Sequence, residues 1–134
     1  MTTATVTVAL PEALYHRLER TALATKQPLE AVVLRAVSNG SPPAWDDVPP
    51  EFQVDLAALD KMDDAALWAI AKSRVDSAVL ARHDDLLDRN ADGTLTPEER
   101  IELEHLRHEQ DLFTLRKAHA AALLRWRGHA VVSP

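Results

Sequence analysis

Cysteine is absent from this chain of 134 residues, which excludes a disulfide framework, a thiol nucleophile and a zinc–thiolate site. Glycine is nearly as scarce. Gly40, Gly93 and Gly128 stand too far apart to build a phosphate-cradling loop of the GxGxxG or GxxxxGKS kind. Aromatic residues make up only 4%, too few for the stacking platforms that hold single-stranded nucleic acid. Apolar runs fall well short of the roughly 18 residues that a membrane span needs. The opening Met1-Thr-Thr-Ala-Thr5 has neither the basic stretch nor the apolar core of a signal peptide. A cytoplasmic protein without membrane contact is therefore expected. No serine sits in a nucleophile-elbow context. Nothing selects a catalytic pair from Glu98, Glu99, Glu102, Glu104 and Glu109, so no enzyme is expected.

What is present is a globular composition, 46% hydrophobic and 27% charged, with a net charge of −6. The charge is uneven. Residues 1–37 carry Arg17, Arg20, Lys26 and Arg35 against Glu12, Glu19 and Glu30, whereas residues 51–134 carry eleven basic side chains against sixteen acidic ones. Phosphate binding relies on clustered Lys and Arg, so the balance argues against a general nucleic-acid coat protein. A small footprint near the N-terminus stays open.

Residues 3–10, Thr-Ala-Thr-Val-Thr-Val-Ala-Leu, alternate with period two and predict a strand. Pro11 ends it and opens a helix to about Ala24 with Leu14 and Leu18 on its apolar stripe. Leu29, Val32, Val33, Ala36 and Val37 mark a second short helix ending near Gly40, a residue suited to a left-handed cap. Residues 41–50 hold four prolines and read as a semi-rigid linker. Beyond it the pattern is helical. A short helix is expected over 51–60, and a longer one from the N-cap Asp63 carries a stripe of Trp68, Ala71, Val75, Val79 and Leu86. The last opens at Thr96-Pro97-Glu98-Glu99, a capping box with proline at the first helical position, and runs to about Arg127. The chain thus divides into a module over 1–40, a linker over 41–50 and a helical region over 51–134, with the two long helices as an antiparallel hairpin.

A lone strand leaves its backbone groups unpaired, and a second copy is the simplest remedy. Thr5-Val-Thr-Val-Ala-Leu-Pro11, Leu14, Leu18, Lys26-Gln-Pro-Leu29 and Val32-Val33 resemble the ribbon-helix-helix family of Arc- and MetJ-type repressors and antitoxins. The resemblance implies a mainly α fold: an N-terminal ribbon-helix-helix dimerisation module followed by the C-terminal helical hairpin. It also implies that Thr5, Thr7 and Ala9 face DNA bases while Lys26 meets phosphate. Two threonines and an alanine are poor base readers beside Arg, Lys, Asn or Gln. Asn90–Glu99 and Leu115–Gly128 resemble segments of small bacterial proteins with an antitoxin-like N-terminus.

Asp88-Arg-Asn-Ala-Asp-Gly-Thr-Leu-Thr-Pro-Glu-Glu99 matches the twelve-residue EF-hand pattern. Asp88, Asn90 and Asp92 would give side-chain oxygens, Thr94 its carbonyl, Thr96 a direct or water-borne contact and Glu99 a bidentate carboxylate, making calcium a candidate ligand. The same residues equally serve as a helix end, a turn and a capping box. No cofactor is otherwise required. His105 and His108, three apart, find no third metal ligand at a persuasive spacing.

The end of the last helix is apolar on much of its circumference and edged with arginine. Packing against residues 64–87 covers one side. Another protein on Leu112, Phe113, Leu115, Arg116, Leu123, Arg125 and Trp126 would cover the rest. The expected function is an antitoxin-like homodimer whose C-terminal helices bind and block a partner such as a toxin nuclease, with autoregulatory binding to operator DNA. The alternatives are a ribbon-helix-helix transcriptional regulator and a calcium-braced scaffold.

Overall fold

The computed structural model describes residues 2–131, which form six α-helices and no strand. The chain divides into two compact units, Met1–Ser41 and Pro42–Pro134.

The first unit holds α1 (Glu12–Thr25) and α2 (Leu29–Gly40), packed against each other. Pro11 and Pro28 precede them, each in extended backbone, and fix the entry of the chain into the helix. The turn after α1 is a Schellman closure: Lys26 N–H reaches the Leu23 carbonyl at 3.3 Å and Gln27 N–H the Ala22 carbonyl at 3.0 Å. Lys26 takes the left-handed position, φ 55°, usually left to glycine. Gly40, expected as a left-handed cap, is instead the last residue of α2, and extended Ser41, which precedes Pro42, ends the helix.

The ribbon-helix-helix resemblance is overturned here. That family needs a ribbon of paired strands, and among the described residues the extended segment before α1 forms no strand pairing. The period-two pattern of Thr and Val favours local extension, but a strand exists only when a neighbour accepts its ladder of hydrogen bonds. Nothing among the described residues supplies one.

The second unit is built around α6 (Pro97–Trp126), a helix of 30 residues and about 45 Å at 1.5 Å per residue. Its capping box forms as expected: Glu99 N–H donates to Thr96 Oγ1 and Thr96 N–H to Glu99 Oε1, both at 3.1 Å. Against it lie α3 (Pro50–Leu59), α4 (Asp64–Ala71) and α5 (Ser77–Ala91). The core sits between α3, α4 and the C-terminal half of α6, where Leu59, Leu67, Ala71, Ala120, Leu123 and Leu124 are buried together. Farther along, Leu86 of α5 and Leu103 of α6 are buried, and α5 returns antiparallel to the first half of α6. Phe52 of α3 stacks on His108, ring centroids 5.0 Å apart.

The long helix expected from Asp63 breaks in two. Asp63 caps α4 by accepting the Ala66 N–H at 2.8 Å, and Asp76 caps α5 by accepting the Ala78 N–H at 2.7 Å. The two halves pack separately on α6, α5 on its first half and α4 on its C-terminal half. The proline-rich stretch belongs to the second unit: Pro43, Ala44 and Val48 lie beside Leu56, Leu115 and Ala122. Trp45 Nε1 donates to Asp60 Oδ2 at 2.8 Å.

Candidate functional site

Two aspartates at the α3–α4 corner tie the second unit together. Asp60 accepts Trp45 Nε1 on one oxygen and His119 Nε2 on the other, each at 2.8 Å, and His119 is buried. Asp64 accepts Arg127 Nη1 at 2.8 Å and His129 Nε2 at 2.7 Å, while Arg127 also donates to the Met62 carbonyl at 2.9 Å. Gly128, φ 100°, makes this possible. It closes α6 with bonds from Gly128 N–H to Arg125 and from His129 N–H to Leu124, turning His129 back toward α4. There His129 meets Trp68 edge to face, and Lys72 lies over the same indole. Beside His119 lies a groove of about 210 Å³ whose other lining side chains are all apolar, Pro43, Ala44, Val48, Leu56, Leu115, Ala118 and Ala122.

The EF-hand-like segment is put to other uses. Asp88 and Asn90 lie within the last turn of α5, and Asp92 caps it. Gly93 and Thr94 close that helix with bonds to Asn90 and Arg89 at 3.1 and 2.9 Å. Thr94 Oγ1 adds a second bond to the Arg89 carbonyl. The Glu99 carboxylate is engaged by the Thr96 N–H and by the guanidinium of Arg89, with Arg82 at 3.8 Å. A bidentate calcium ligand needs those oxygens free. Among the described residues no group of three or more acidic or histidine side chains converges to hold a metal ion. His105 is exposed, and His108 is spent on Phe52.

Thr5, Thr7 and Ala9 are exposed in the extended segment, and Lys26 closes α1. Without a ribbon no paired surface presents the three together to a DNA groove.

The residues singled out on the last helix separate into groups. Leu123 belongs to the core. Leu115 is half-buried between α3 and α6, beside Phe52 and Leu56. Arg125 and Trp126 are exposed at the end of the helix. Leu112, Phe113 and Arg116 share a groove with Arg74, Val75, Asp76 and Val79 at the start of α5. Sequence reading missed the α5 half of this groove because it ran one helix through residues 72–76. The available signal was Asp76-Ser77, a second N-cap pair.

Compared with known proteins, the chain matches no family model, no curated protein and no solved structure.

Two outcomes follow from these contacts. Hydrogen bonds from Arg127 and His129 hold the Asp64 carboxyl below its ordinary range, and one from Arg82 does the same for Glu102. A lowered folded pKa contributes stability that is complete above the unfolded value, about 4, and is lost as pH falls through the folded one. The urea midpoint is expected to drop on acidification from about pH 5 to pH 2, and Asp64→Asn to make that drop shallower. A variant as acid-sensitive as the parent would remove the Asp64 pairings from the account. Glu99→Gln is expected to cost about 1 kcal/mol of stability whether or not calcium is present. Calcium-dependent stabilisation of the parent that vanishes in this variant would return the loop to metal binding.

Proposed function

We propose that the chain is a homodimeric interaction protein of antitoxin-like plan. Its first unit joins two copies, and its helical second unit is offered in duplicate to a partner protein.

One observation carries the dimer. Among its described residues the first unit keeps only Ala22 and Val32 buried as hydrophobic side chains, while Val6, Val8, Leu23, Leu34 and Val37 are exposed, Leu23 at 75% and Val37 at 61%. A segment of about 40 residues usually needs disulfides, a metal or oligomerisation to hold its fold. There is no cysteine, and no metal-holding group occurs among the described residues. Oligomerisation supplies that support in our reading. A second copy suits the surface because the unit is nearly neutral, four basic side chains against three acidic. Two copies meet there without net repulsion, and a two-fold pairing closes on itself.

The partner-blocking half of the proposal rests on duplication. Two tethered copies of one helical surface raise the effective concentration of each at a shared target. A toxin nuclease is one target of that kind, whereas operator DNA drops out with the ribbon.

Native mass spectrometry of the full chain at micromolar concentration tests the dimer. Two copies are expected, and Leu34→Glu with Val37→Glu should yield one copy with reduced helical content. A parent that stays single, or a variant that stays double, would overturn the proposal.

A further inference from the structure

The groove between the start of α5 and the middle of α6 has chemistry that the interaction reading leaves unused. Its volume is about 320 Å³, at the lower end of the range for small-molecule sites. The floor is apolar: Val75 and Val79 from one side, Leu112 and Phe113 from the other. Two guanidiniums stand at its edge, Arg74 and Arg116. Among the described residues neither is in an ion pair, and the Arg116 Nε, closed off from solvent, has no hydrogen-bond acceptor within the chain. A buried donor left unmade costs about 1–3 kcal/mol, more when it is charged, so this N–H calls for an acceptor.

What the acceptor is follows from its surroundings. An apolar floor beside an arginine fork suits an oxyanion carried on a hydrocarbon body. The acids at the same groove set its charge. Asp76 is held by the Ala78 N–H at 2.7 Å, and Glu109 faces the groove from α6. Two carboxylates beside two guanidiniums repel a multiply charged ion and leave room for a single charge. Space for about ten waters at ~30 Å³ each sets the size of the body. We infer that this groove binds a small organic monocarboxylate with an apolar body, its carboxylate on Arg116 and Arg74 and its hydrocarbon on Val79, Leu112 and Phe113.

Octanoate is the probe, titrated into the isotope-labelled full chain and followed by NMR, with 1-octanol as the uncharged match. Saturable shifts are expected at the amides of Val75, Val79, Leu112 and Phe113 and at the Arg116 Nε–H. A hydrogen bond to a charged group is worth about 1.5–3 kcal/mol, so Arg116→Gln is expected to weaken octanoate at least about tenfold. Octanol should bind as weakly to the parent. Glu109→Gln should tighten octanoate by relieving repulsion. Arg74→Gln, exposed and outside any helix, gives a second reading of the charge requirement if Arg116→Gln disturbs α6. Shifts that miss the groove, octanol binding equal to octanoate, or arginine variants that bind octanoate like the parent would overturn the assignment. Because the groove lies wholly within the second unit, its failure would leave the dimer standing, and a monomeric chain would leave the groove testable.

Discussion

A 30-residue helix with an apolar C-terminal half must be covered on more than one side, and the second unit is arranged to meet that demand. Leu67 and Ala71 of α4 and Leu59 of α3 close over Ala120, Leu123 and Leu124. The polar contacts are then placed where they hold this cover in register. Asp60 and Asp64 sit at the α3–α4 corner and reach Trp45, His119, Arg127 and His129, so one corner pins the proline-rich stretch and the end of α6. At the far end Arg82 and Arg89 pair with Glu102 and Glu99 and fasten α5 to the first half of α6. These ion pairs are partly exposed, so they add alignment more than stability, and the apolar contacts carry the energy.

The first unit has no such helix. Its two short helices bury little of each other, and their local signals are sound: proline at each entry, a Schellman turn between them, apolar residues at helical spacing. What it lacks is quantity of core. Helices of 14 and 12 residues are marginal in isolation, and most helical stability in proteins comes from burying an apolar face. The exposure of Leu23, Leu34 and Val37 on both helices is thus the feature that points beyond the single chain.

Much of the second unit was legible in the sequence because its signals are local. Thr96, Pro97 and Glu99 mark the start of α6, Asp63 marks α4, and the apolar spacing after Pro50 marks α3. The break at 72–76 leaves only the Asp76-Ser77 cap as its sign: Lys72-Ser-Arg-Val-Asp76 holds neither glycine nor proline, and the apolar stripe runs through it in phase. Pairs such as His119 with Asp60 and Arg127 with Asp64 join residues about sixty positions apart and leave no spacing to read. The ribbon failed for a different reason. Alternation describes one strand, whereas a ribbon needs two, and no second strand occurs among the described residues. The calcium pattern is ambiguous at the level of sequence, since Asp88, Asn90 and Glu99 serve a helix end and a capping box as readily as an ion. The groove at Arg116 could not be seen at all until α5 was separated from α4.

The central claim is that the first unit owes its fold to a second copy. Amide hydrogen exchange across a dilution series tests it most directly, because it reads α1 and α2 separately from α3–α6 in the intact chain. Protection in α1 and α2 should fall as the protein is diluted, while that of α4 and α6 holds steady. Protection of α1 and α2 that is strong and independent of concentration in a monomeric chain would contradict the account.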